Sequence, residues 1–294
     1  MVRDAPVGGD VRRQGFIMRR MAAAVLLVVF SHCGAPAQTA ASARSTADRT
    51  DDFAGYQIHV MYVLPSDGID YHLDTNGSIA SSVAAAQKWF VAQTQGARRL
   101  RFDSSNGELD ISFFRLARTD AAIAGFGAYV RDQIQSEINA AGFNHPEKIY
   151  AVYYGGSSTY ACGGGAWPPK LTGNVVALYL RGRPPGARAC VGNGLAASGE
   201  PPGYWEFSLI HEFFHTLGAV ANCAPHHTRA GHVSDDPRDL MYAGDRPWRP
   251  SMLDVGNDDY FNHSTGCLDV AKSVFIDPVA ADAVAPPGWT TIKR

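Results

Sequence analysis

What this chain lacks narrows its chemistry first. It has five cysteines and no CxxC pair, which excludes a cysteine-built zinc knuckle. Its apolar run Met21–Phe30 falls well short of the roughly 20 residues that a membrane-spanning helix needs. Basic charge is not in excess: 26 Lys and Arg stand against 28 Asp and Glu, and leaving out residues 1–37 makes that 21 against 26. A mildly acidic chain has no electrostatic footprint for nucleic acid or for an anionic membrane surface. No Ser/His/Asp nucleophile arrangement, phosphate loop, dinucleotide fingerprint or internal repeat is legible. With 46% hydrophobic residues the chain has material for a substantial core, and 30 Gly with 17 Pro argue against a purely helical bundle.

The N-terminus carries the first positive signal. Arg19 and Arg20 precede Met21–Phe30, and small residues follow up to Ala35-Pro36-Ala37. A basic region, an apolar region and an A-x-A site in that order predict a secretory signal peptide over 1–37, with Met18 as a second possible start. The mature chain is then secreted, periplasmic or at the cell surface, with no membrane segment. Four cysteines remain after cleavage: Cys162, Cys190, Cys223 and Cys267. An oxidising compartment favours two disulfides, with Cys162–Cys190 and Cys223–Cys267 the expected pairs among three connectivities.

Residues 38–52 are small and polar and read as a disordered lead-in to one domain over 53–294. Alternation predicts a strand over Tyr56–Leu64, and helical spacing predicts a helix over Ile79–Thr94 ending at Gly96. Leu100–Phe102 and Leu109–Leu116 flank Ser-Ser-Asn-Gly as a hairpin. Ala121–Ala141 reads as one long helix, and Lys148–Tyr154 and Val175–Leu180 as buried strands. A third helix is expected over Tyr204–Leu217 and a short terminal one over Leu268–Phe275. This order is mixed α/β.

The third helix contains His211-Glu212-Phe213-Phe214-His215. Residues four apart share a helical face, so two imidazoles can point at one ion. Glu212, beside the first ligand, can reach a water on that ion as general base. Zinc suits two imidazoles and a third protein ligand, with the fourth position open. Nine histidines follow the leader, and five of them lie between 211 and 232, as a metal site requires.

These residues resemble the metzincin clan of zinc endopeptidases, whose pattern is HExxHxxGxxH followed by a methionine turn. His211, Glu212, His215 and Gly218 match it, and Leu240-Met241-Tyr242 is similar to the matrixin form of the turn. The longer pattern, with Cys-Gly-Gly-Gly-Ala-Trp, Ala-Pro-His and Asp-Asp-Tyr-Phe, looks like a group of secreted bacterial HExxH proteins. The resemblance implies a metzincin-like twisted sheet with helices, a loop-rich C-terminal part, one catalytic zinc and a peptide or protein substrate. One position departs from the clan: residue 221, where the third histidine belongs, is Ala. His226 is the expected third ligand, close to the helix end and stiffened by Pro225. His232 is the alternative, His227 comes third, and Asp235 and Asp236 stand behind all three.

Weaker features complete the reading. Asp254, Asp258 and Asp259 suggest calcium, but not at EF-hand spacing, and a loop closed by side-chain-to-backbone hydrogen bonds is the plainer expectation. Tyr242 is either an oxyanion donor or a packing residue. Trp167 and the glycines before it line the cleft or cover a disulfide. The competing functions are a non-catalytic exported binding protein with a structural zinc, and a zinc amidase on a non-protein substrate. Oligomeric state has no signature in these residues.

Overall fold

The computed structural model describes residues 44–166, 173–185 and 190–285. The signal-peptide and Trp167 expectations lie outside the described residues, as does the first part of the lead-in.

Strand β1 (Gln57–Leu64) leads to helix α1 (Ser78–Gln93). Three short strands follow, β2 (Arg99–Leu100), β3 (Ser104–Ser105) and β4 (Glu108–Leu109), and then β5 (Ile111–Arg115). Helices α2 (Asp120–Ala124) and α3 (Val130–Ala140) precede β6 (Lys148–Tyr154), β7 (Gly163–Gly164) and β8 (Val175–Tyr179). Helix α4 (Tyr204–Leu217) and the late strand β9 (Ile276–Asp277) complete the set. The main sheet runs β5-β1-β6-β8-β7. Its first four strands are parallel, and β7 is antiparallel to β8. The fold is therefore mixed α/β.

A parallel sheet covered on both faces needs strands that are apolar throughout, and every residue of β1, β6 and β8 is buried. Successive side chains point to opposite faces. Val60, Tyr62, Ala151, Tyr153, Val176 and Leu178 pack with α1 and α4. Met61, Val63, Tyr150, Val152, Ala177 and Tyr179 pack with α3. This layering seats α4, and with it the HExxH motif, flat on the sheet beside β7 and β8.

Four expectations need correction. The Asn106-Gly107 turn closes only the two-residue pairing of β3 with β4. Both turn residues have positive φ, 55° and 78°, as a tight hairpin requires. β2 pairs instead with β9, and β5 leaves the hairpin to lie parallel beside β1. The long helix over 121–141 is broken between α2 and α3, where Gly127 takes φ 57° and a right-handed helix cannot continue. The terminal helix is only a 3₁₀ turn, Val270–Lys272, capped by Asp269 and followed by β9.

The fourth correction concerns the lead-in, which over residues 44–52 is tied down by charge. Arg44 pairs with Asp70 and Asp74, Arg49 pairs with Asp110, and Lys148 receives Asp48 and Asp51. Low hydrophobicity predicts disorder only where nothing else holds the chain, and here several carboxylates and cations do. The disulfides are Cys162–Cys190 and Cys223–Cys267, with Cα separations of 5.6 and 5.9 Å. Among the described residues no helix is long and apolar enough to cross a membrane.

Candidate metal centre

The motif helix α4 is anchored at both ends. Glu206 in its first turn accepts the Gly203 N–H at 2.8 Å, the Ser82 hydroxyl at 2.5 Å and the Ala196 N–H at 3.0 Å. A buried carboxylate with three donors is satisfied, and it also complements the helix dipole. At the other end Gly218 takes φ 86° and closes the helix in the left-handed conformation that favours glycine.

Three imidazoles converge beside the last turns. His215 Nε2 lies 3.0 Å from His211 Nε2 and 3.1 Å from His232 Nε2, and the remaining side of the triangle is 3.2 Å. Three imidazole nitrogens at zinc–nitrogen distances of about 2.0–2.1 Å in a tetrahedron would stand about 3.3 Å apart, so the donor set fits. The ring nitrogens behind them agree. His211 Nδ1 lies 2.8 Å from the Leu240 carbonyl and His232 Nδ1 3.2 Å from that of Arg229. A carbonyl accepts only from a protonated nitrogen, so both Nε2 atoms keep their lone pairs for an ion. Burial pushes His211 down to about 3 and His215 well below its ordinary value, and it lowers His232 too. Neutral imidazole is the form that binds metal.

The backbone at residues 240–241 supports two of these rings at once. Leu240 supplies the carbonyl for His211, and it also accepts the Trp248 indole N–H at 3.1 Å. The next carbonyl, that of Met241, accepts the N–H of Val233, the neighbour of His232, at 3.0 Å. Asp239 holds the turn itself, accepting the Met241 N–H at 2.7 Å and the Tyr260 hydroxyl at 2.9 Å.

His226, the first choice for third ligand, is not part of this triad. Its backbone N–H and its Nδ1 both engage Asp259, at 2.8 and 3.0 Å. Nearness to the helix end does not bring His226 to the triad. Residues 221–227 turn back on themselves, with Ala224 bonding Ala221 and His227 bonding Ala224, and the chain delivers the next histidine to the triad only at 232. Asp236 forks onto Arg238, and the nearest imidazole to Asp235 is that of His226 at 3.9 Å.

Glu212 stands beside the triad, not in it. Burial pushes its carboxyl up to about 8, against the Gly165 N–H and Arg131, which pull it down. The glycine run explains the close approach. A Cβ on Gly163 would lie 2.6 Å from Glu212 Oε1, and one on Gly165 only 2.1 Å from the Glu212 carbonyl oxygen. The chain therefore meets the Glu212 side chain at Gly163 in β7 and comes to backbone contact with α4 at Gly165, just after the strand. Tyr242 is 4% exposed, and its hydroxyl accepts the Arg246 N–H at 2.9 Å, which favours packing over an oxyanion role.

Two other groups of potential ligands stand apart. His226, Asp258 and Asp259 cluster, while Asp254 accepts the backbone of Tyr260 and Phe261 at 2.9 and 2.7 Å. That matches the loop-closing expectation better than a calcium loop. Around β1, His59 lies 2.8 Å from Asp103 and 3.0 Å from Ser112. The Ser112 hydroxyl donates to the Ala47 carbonyl, Lys148 reaches Asp103, and Ser112, His59 and Asp103 are all buried. This network is invisible in sequence because its members come from β1, the β2–β3 connection, β5, β6 and the lead-in.

No family model and no curated protein matches the chain. Among solved structures, wild type OgpA from Akkermansia muciniphila is similar at 17% identity, with a TM-score of 0.33. The match covers 60% of this chain and 51% of that one, so the chain spans about half the length of that structure. A likeness at that score carries no argument about the function of this chain.

Proposed function

We propose that this chain is an exported, zinc-dependent endopeptidase of metzincin-like build. The observation that carries the reading is the convergence of three neutral imidazole nitrogens beside a carboxylate that is not one of them. His211, His215 and His232 would hold the ion, and three protein ligands leave the open position of a catalytic site. Zinc held there would supply a Lewis acid for a carbonyl and lower the pKa of a neighbouring water to about 7.

Glu212 is the general base and then the general acid. It takes a proton from the attacking water and returns it to the leaving amine nitrogen. The Gly165 N–H orients its carboxylate. Peptide is favoured as substrate by β7. Among the described residues β7 pairs on one side only, with β8. An extended peptide can add to such an edge by main-chain hydrogen bonds, directly beside Glu212. Two disulfides agree with an exported protein.

The test is digestion of a broad peptide library by the purified chain, before and after chelation and after zinc is restored. Cleavage lost on chelation and regained with zinc is the expected result. A fully zinc-loaded chain that cuts no peptide would turn the reading to a structural zinc in a binding protein.

A further inference from the structure

We propose that the chain has a second ligand site, distant in chemistry from the histidines, that takes a small monocarboxylate with an apolar body. In chain order the four parallel strands run second, first, third, fourth across the sheet. The connections leaving β1 and β5 therefore pass to opposite sides of β1, which makes the β1–β6 border a topological switch point. Open α/β sheets bind ligands outside the carboxyl ends of their strands at such points.

A cavity of about 300 Å³ lies at that place, at the lower end of the range for small-molecule pockets. Its walls come from the carboxyl ends of three parallel strands: Tyr62 from β1, Gly155 after β6, and Leu180 and Arg181 after β8. Trp205 of α4 and Leu195 give it apolar sides. Gly155 keeps the border tight, since a Cβ there would meet Leu64 at 2.4 Å.

Charge decides the ligand class. Among the described residues no carboxylate lines the cavity, and its one charged lining group is Arg181. Arg181 is exposed, and its guanidinium has no partner among the described residues; only its backbone N–H is engaged, by Gly156. The two acids that bear on Tyr62, Asp70 and Asp74, are both paired with Arg44. A guanidinium without a partner among the described residues, at a pocket also lined by aromatic and aliphatic side chains, matches a carboxylate, which it can bind in a fork. The walls and the volume match a body the size of a phenylalkyl group.

The test titrates the purified chain by calorimetry with 4-phenylbutyrate and with the uncharged 4-phenylbutanamide. Both zinc-loaded and chelated protein are used, because a carboxylate could also bind zinc. The acid should bind with a Kd of about 0.1–1 mM, with or without the metal, and the amide at least about tenfold more weakly. Arg181→Gln should cost the acid about tenfold and leave the amide unchanged. Leu195→Trp, at a half-buried loop position, should block both. No saturable binding of the acid, equal binding of acid and amide, or binding that vanishes on chelation would each overturn the proposal.

Discussion

A histidine can join a metal site only where its free ring nitrogen points at the other ligands, and that separates His232 from His226. In His211 and His232 the Nδ1 atom faces a backbone carbonyl and Nε2 faces the triad. In His226 the Nδ1 faces Asp259, within a cluster of carboxylates that raises its pKa. His232→Ala should therefore lower zinc affinity by orders of magnitude, as loss of a ligand does, while His226→Ala should cost no more than the 10–100-fold of an outer partner. Competition against a chelator of known affinity reads both. Equal losses in the two variants would show the triad to be wrongly composed.

Among the elements, β7 makes the sharpest demand on sequence. Gly163 in β7 and Gly165 just after it touch different parts of Glu212, so they should fail differently. At Gly163 an added Cβ meets the movable end of the Glu212 side chain. Gly163→Ala should cut turnover by displacing that carboxylate, with stability nearly unchanged. At Gly165 the Cβ meets backbone, and overpacking that cannot relax typically costs about 1–3 kcal/mol. Gly165→Ala should unfold earlier in urea. Equal stability of the two variants would contradict the close approach of the chain to α4 at Gly165. The regular elements were legible where periodicity is strong: β6 and α4 occupy the spans their patterns predict, and β1 and α1 differ by a residue. The failures share a cause. The fate of Leu100–Leu116 depends on β1 and β9, distant in sequence, and a 3.6-residue pattern passes through Gly127 without registering its backbone. His232 was open for the same reason, since only the folded backbone at residues 240–241 shows which histidine it supports.

Across the whole molecule, charge takes over where hydrophobic burial is thin. The segment 44–52 is fastened to α1's approach and to the sheet by Arg44, Asp48, Arg49 and Asp51. Composition alone made it disordered, because a sequence window cannot see Asp70, Asp110 or Lys148. The hydrogen bond from Arg44 holds the Asp70 carboxyl down to about 2 from an ordinary 3.8. A lowered carboxylate pKa stabilises the fold above the ordinary value, and that stability fades as pH falls toward the folded value. Asp70 is partly buried, with 19% of its side chain exposed, and the solvent that still reaches the pair limits the effect to about 1 kcal/mol. Asp70→Asn should be less stable than wild type by up to that amount at neutral pH, and the gap should close between about pH 4 and pH 2. Urea unfolding at several pH values measures it, and a gap independent of pH would remove the ion pair from the account.

The proposed role of Glu212 is to move the proton beside a zinc that the three histidines would hold. Its most direct measurement is the peptidase kcat/KM of Glu212→Gln beside that of the wild type, both loaded with zinc to the same stoichiometry. The variant should keep its zinc, because Glu212 is not one of the converging ligands, and should lose about 10²–10⁴-fold in rate, the usual worth of a general base. Undiminished turnover in the zinc-loaded variant would contradict the claim.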